Sequence, residues 1–383
     1  MKTYSLMIMI ALFAVAFATV PVRAAEPAAQ QAQPKFGSDE ERAAYEAFFN
    51  EKDPAKKVAL AKAFGQKYST SEYKKYTDAA VLNGLGAQFQ QELKAFYDGP
   101  DSGKLDKLLA TGEEYLTLQP GQPYVSTHMA LAAGFGVLSQ KYTNIDKAMG
   151  YADKALPLLE TTTPPTGYDA AQWTTLRTTG LSSLPQYQGL YYTKKEPMDA
   201  EKAIAALTKA AEFKEGPASK DPNTYWLRAS AYNTQYETLS KEYRAMADDQ
   251  KTGEAGKAVL AKVDPVVDKM IEDYGRVYVL SASNAQAAQL RSAAKELLDN
   301  FWKYRNNGKL DGQAEYLKQV EANPTGSNPP KFAAAPSSNE VATGVMPTAN
   351  TKQPSLNASQ PSGNGSKAAP AKTSKASKGK KRR

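Results

Sequence analysis

Two segments of this chain carry the same stripe of small residues. Residues 146–160 read DKAMGYADKALPLLE, and residues 199–213 read DAEKAIAALTKAAEF. In the first, Ala148, Ala152 and Ala155 are spaced four and then three apart; in the second, Ala203, Leu207 and Ala210 repeat the spacing. That period places them on one side of an α-helix. Alanine there lets a neighbouring helix come close, and one helix cannot bury such a stripe alone. Each segment therefore predicts a helix stacked on partners.

The rest of the body reads the same way. Ser38 with Glu41 three residues later has the pattern of a capping box, and Asp53-Pro54 reads as an N-cap with Pro opening a second helix. Residues 71–97 form a long helical pattern in which Asn83, Gly84 and Gly86 predict a kink or break. Residues 104–119, 124–142 and 145–159 follow as helices, the last two an antiparallel pair. Residues 168–184 are helical, and Pro185 predicts a break or kink before 186–193. Further on, Tyr225, Ala229, Tyr232, Tyr236, Leu239 and Tyr243 form a continuous seam. Val263 to Val277 and Leu290 to Tyr304 form two more. Gly308 reads as a helix stop before a short helix at 312–322. No segment alternates as a strand does.

The ends differ from the body. Lys2, an apolar run at 6–20 and the small residues Val22 and Ala24 read as a secretory signal peptide, with cleavage between Ala24 and Ala25. The run of 15 residues is short for a spanning helix, which needs about 20; an uncleaved anchor is the other reading. Residues 25–37 read as a flexible lead. Residues 323–383 are rich in Pro, Ser, Ala and Lys, and such a segment buries too little to offset its chain entropy, so a disordered tail is expected. Within it, residues 331–383 hold ten Lys or Arg against the single acid Glu340. The chain's net charge of +8 therefore lives in the tail, and residues 25–330 come to −3.

The paired-helix pattern of residues 102–245 resembles the tetratricopeptide repeat, in degenerate form. Gly136 fits the small position of a first helix, and Ala148, Ala152 and Ala155 fit a second. Tyr115, Leu116 and Pro120 fit the end of a preceding repeat. Ala203, Leu207 and Ala210 fit a later second helix, and Tyr225, Ala229 and Tyr232 open a further first helix. The distance from Ala148 to Ala203 is 55 residues, against a family repeat of about 34. The resemblance implies antiparallel pairs stacked as an α-solenoid over 38–322, a protein-binding scaffold, and no catalytic residues. A generic helical bundle is the alternative.

Little in the sequence supplies chemistry. With no Cys and one His, thiolate sites, His clusters and Cys–His nucleophiles are excluded. His128 reads as a packed or interface residue. Glu113-Glu114 and Asp248-Asp249 are adjacent acids; glycoside hydrolysis needs carboxylates across a cleft, so these read as solubilising charge. No phosphate loop, dinucleotide motif or calcium loop is present, and no cofactor or metal is expected. Tyr187, Tyr191, Tyr192, Lys194 and Lys195 (YQGLYYTKK) form a candidate partner-binding group on a first-type helix. The competing reading packs two of the tyrosines in the core.

The expected function is a non-enzymatic, exported scaffold, periplasmic or extracellular, with a protein or peptide partner. A second reading makes the basic tail an attachment to an anionic polymer or lipid surface; a solubilising tail is its plainer form. Export argues against nucleic acid as the tail's ligand. A third, a glycan hydrolase of the envelope, would need a buried acid pair in an open cleft.

Overall fold

The computed structural model describes residues 35–332. The signal segment, most of the lead and the tail from 333 lie outside the described residues. Every regular element in the described chain is helical. The helices are α1 (Asp39–Asn50), α2 (Pro54–Lys67), α3 (Lys74–Asp98), α4 (Ser102–Leu118), α5 (Pro123–Leu138), α6 (Ile145–Ala155) and α7 (Ala170–Lys194). They continue as α8 (Ala200–Glu212), α9 (Pro222–Ala245), α10 (Asp248–Thr252), α11 (Glu254–Leu280), α12 (Ala288–Arg305) and α13 (Gln313–Ala322). No described helix is long and apolar enough to cross a membrane.

Polar side chains set many of the starts. Asp53, Asp101, Asn144, Asp169, Asp199 and Asp221 each accept from a backbone N–H in the first turn they precede, which satisfies donors the helix cannot. Ser38 caps α1 through Glu41 N, but the reciprocal bond is displaced: the Glu41 carboxylate accepts from Gly37 N at 2.6 Å, not from Ser38. The expected capping box is therefore stretched by one residue.

From α1 to α8 each helix packs mainly on its sequence neighbours, α9 and α13 pack chiefly on α11, and α3, α5, α7 and α9 also touch one another in succession. Glycines mark the close crossings. A Cβ on Gly112 of α4 would stand 2.4 Å from Met129 of α5, and one on Gly136 of α5 would stand 2.6 Å from Leu105 of α4. A Cβ on Gly189 of α7 would meet Leu207 of α8 at 2.3 Å. Ala148, Ala152 and Ala155 of α6 and Ala203, Leu207 and Ala210 of α8 are all fully buried.

Neither expected interruption breaks its helix. α3 runs unbroken through Asn83, Gly84 and Gly86, because Val81, Leu85, Phe89 and Phe96 bury one continuous face that outweighs the weak helix propensity of glycine. α7 runs unbroken through Pro185. Pro removes one N–H bond of the helix, but Leu181, Leu184, Pro185 and Leu190 are buried around it, and that burial favours a continuous helix.

The core has two parts that meet on α9. Leu227 and Ala231 pack into the N-terminal part, which begins at Phe48; Tyr225, Trp226, Ala229 and Tyr236 pack into the C-terminal part, which ends at Val320. Between α9 and α11 lies a buried ion network. Arg228 holds Asp273 bidentately, Nε to Oδ2 at 2.9 Å and Nη2 to Oδ1 at 2.6 Å. Arg276 donates to Glu272 at 2.7 Å and to Asp273 at 3.3 Å.

Both ends are ordered further than expected. Phe36 stacks on Tyr73 with ring centroids 4.0 Å apart, so the packed chain begins before Ser38. The chain after α13 also stays on the body. Gly326 O accepts from Arg276 at 2.5 Å, Asn328 N donates to Glu272 at 2.7 Å, and Phe332 packs on Trp302 with centroids 4.8 Å apart. Residues 323–332 are thus a strap over α11 and α12 rather than the start of a disordered tail.

Candidate functional site

The side of α5 that packs on α3 carries an aromatic stripe. Tyr124, His128 and Phe135 follow one another at helical spacing and are all half-buried. The Tyr124 and His128 rings lie 4.3 Å apart. The start of the stripe is pinned by Tyr168, whose hydroxyl accepts from Tyr124 N and from Gln122 Nε2, each at 3.0 Å.

Neighbouring helices add walls to this floor. From α3, Tyr97 packs on Phe135 with centroids 6.0 Å apart. From α7, Tyr187 fills the space over Gly134, where a Cβ would stand 2.3 Å from its ring. Beside Tyr187, Gln186 donates to Asp221 at 2.6 Å and to Thr224 at 2.9 Å, bringing the first turn of α9 to the same place. α3, α5 and α7 each place half-buried aromatic side chains on this surface, with Asp221 beside it at the start of α9, and the surface they share is called the groove below.

Burial sets its electrostatics. It raises the tyrosine hydroxyls of Tyr97, Tyr124 and Tyr187 above their ordinary range, and the neighbouring hydroxyls and the Asp221 charge push Tyr97 and Tyr187 further. All three therefore stay protonated donors at physiological pH. Burial lowers His128 to about 4, so its imidazole is neutral. Its Nδ1 is buried without a hydrogen-bond partner. Burial also raises the Asp221 carboxyl, against the bonds from Asn223 and Gln186 that favour its charge. The groove is thus a set of aromatic faces, neutral hydrogen-bonding groups and one carboxyl.

No family model, curated protein or solved structure matches this chain. Its own geometry must therefore carry any functional reading.

The residues expected to bind a partner do not act as one group. Tyr187 lies in the groove. Tyr191 lies one turn after Tyr187 on the same face of α7, but it is fully buried and cannot reach a partner. Tyr192 is half-buried at the end of α7, with Lys195 and Lys202 over its ring at 5.6 and 5.7 Å. Lys194 is exposed and Lys195 half-buried. A second depression of about 650 Å³ opens next to them, between Met198 and Asp199 on one side and Thr234 and Leu239 on the other.

The remaining expected residues are structural. Gly136, Tyr225 and Ala229 are buried, and Tyr232 is half-buried against the C-terminal core. Glu113 is more than solvated charge: it accepts from Tyr151 at 2.6 Å and pairs with Lys147 at 2.8 Å, tying α4 to α6. Glu114 pairs with Lys62 of α2. Asp248 and Asp249 are exposed in α10. Among the described residues, no group of three or more His, Asp or Glu is placed to hold a metal ion. Tyr97, Tyr124 and Asp221 were not singled out by sequence; the available signal was the excess of Tyr over Phe, 22 to 12, in a chain whose apolar stripes need no hydroxyls.

Proposed function

We propose that this chain is an exported, non-enzymatic scaffold whose helices stack as a tetratricopeptide-like α-solenoid and whose groove holds a protein segment. The succession of α3, α5, α7 and α9, each touching the next while α4, α6 and α8 fill the gaps behind, supports the stacked reading. The observation that carries the binding role is the assembly of Tyr97, Tyr124, His128 and Tyr187 from three such helices into one half-buried surface. Rigid aromatic side chains with a polar edge are effective anchors for a partner, because they present much contact area and lose little freedom on binding.

A benzophenone side chain placed at position 97 tests this reading. It should cross-link a discrete set of exported proteins, and the same group at the exposed Ala205 of α8 should not. Equal cross-linking from both positions counts against a groove.

The basic tail supports a second role, attachment to an anionic polymer or lipid surface. Removing residues 333–383 leaves the strap in place and should release the protein from such a surface at physiological salt. Retention after that deletion ends the idea.

A further inference from the structure

Residues 326–332 of the strap lie on the body as a bound peptide does. Burial alternates along them: Gly326 is buried and Asn328, Pro330 and Phe332 are half-buried, while Ser327, Pro329 and Lys331 are exposed. An extended chain turns successive side chains to opposite sides, so one edge of the segment faces the helices throughout. Among the described residues, no backbone-to-backbone hydrogen bond ties 327–332 to a helix. Side chains read the main chain instead. The Gly326 carbonyl accepts from Arg276 Nη2, and two residues on, the Asn328 N–H donates to Glu272 Oε1 at 2.7 Å. Phe332 supplies the anchor, edge-on to Trp302 and with the Arg305 guanidinium 5.1 Å from its ring.

The ion pairs of the receiving side do not depend on this segment. Arg276 pairs with Glu272 and Asp273, and Arg228 with Asp273, all within α9 and α11. The segment also leaves receiving groups unused. Arg276 Nε is buried and donates to nothing, and the buried Tyr316 hydroxyl, against Gly275, has no partner. Pro329 and Pro330 restrict the free segment to extended conformations, so little freedom is lost each time it binds.

We propose that Glu272, Arg276, Trp302 and Arg305 form a peptide-binding site separate from the groove, with residues 326–332 as its ligand in cis. Release of the strap, with the helices still folded, opens the site to a segment of another protein. The segment that fits is extended. It has a glycine whose carbonyl meets Arg276, an N–H two residues on for Glu272, a proline after that, and an aromatic ring six residues after the glycine, as the strap does. A partner has to outcompete the strap, so the site is closed to weaker segments.

The full chain carrying Asn328→Pro and Phe332→Ala loses the N–H for Glu272 and the ring on Trp302, which weakens its strap. A dye-labelled, capped peptide TGSNPPKF, the sequence of 325–332, should bind this variant. It should bind the parent at least about tenfold more weakly, because the parent's own strap holds the site. In the peptide, alanine for the final phenylalanine should cost about tenfold or more, and alanine for the serine or the lysine less than about twofold. In the parent, the Asn328 N–H should exchange with solvent faster than the amides of Met270 and Ile271 inside α11, which reads strap release without any substitution. No peptide binding to the variant at millimolar concentration, equal binding to variant and parent, or exchange at Asn328 as slow as in α11 overturns the proposal. Parent dimers that the variant does not form would give the site to a second copy's strap and overturn the choice of partner.

Discussion

The Tyr187 ring occupies the volume that a side chain on Gly134 would need, with only 2.3 Å from the site of a Cβ to the ring. This contact joins α7 to α5 and sets one wall of the groove. Gly134→Ala should therefore displace the ring. Relief of such overpacking costs about 1–3 kcal/mol, more than the gain in helix propensity of up to about 1 kcal/mol. Urea unfolding should show a net loss of stability, and the Tyr187 resonance should move.

His128 gives a direct reading of the groove's polarity. It is the only histidine in the sequence, so its imidazole signal is unambiguous. Its midpoint should fall near 4 in the folded protein, against about 6.5 in an unfolded chain. The folded value is the lower one, so the contribution to stability is present above about 6.5 and is lost as pH falls toward 4. The loss amounts to at most about 3 kcal/mol. A midpoint near 6.5 in the native protein would show that the ring is freely hydrated.

The strap predicts where the folded unit ends. A chain stopped after Phe332 should unfold with the same urea midpoint as the full chain. One stopped after Ala322 removes the Asn328 N–H from Glu272 and the Gly326 carbonyl from Arg276, and uncovers Trp302. Leaving buried charged groups under-bonded costs about 3 kcal/mol or more, so its midpoint should drop clearly. Burial works to raise Glu272, but the Arg276 charge and the Asn328 N–H outweigh it and hold its carboxyl below the usual range. This stabilisation is present above the unfolded value and is lost as pH falls through the folded one. The full chain should therefore lose more stability than the shorter chain as pH falls below the ordinary carboxylate range.

The small-residue stripe can be tested by size alone. Ala152 is fully buried, and Ala205 is exposed on α8. Ala152→Leu should cost about 1–3 kcal/mol through overpacking. Ala205→Leu should stay within about 0.5 kcal/mol of the parent. Thermal melts of the two variants separate the cases.

Helices with a strong stripe were legible from sequence, because the spacing of Ala203, Leu207 and Ala210 is itself the packing face. The uninterrupted course of α7 was not. Local propensity places a break at Pro185, and only the burial of Leu184 and Leu190 on the assembled body overrides it. The strap was illegible for another reason. Its bonds use the Gly326 carbonyl and the Asn328 N–H, groups that every sequence possesses and no composition reveals. Sequence reasoning reached Tyr187 but not Tyr97, Tyr124 or Asp221 beside it, because these come from helices far apart in the chain. Nothing in their local patterns marks the side that the fold leaves open.

α9 carries one consequence for the whole molecule. Leu227 and Ala231 belong to one part of the core, and Tyr225, Trp226, Ala229 and Tyr236 to the other. Neither part can melt without stripping one flank of this helix. Arrays of stacked helices can open piecemeal from their ends, but here α9, with α8 beside it, carries residues of both halves and links them. Heat should take them down together, and a load applied to the strap at one end is passed through α11 and α9 to the groove at the other.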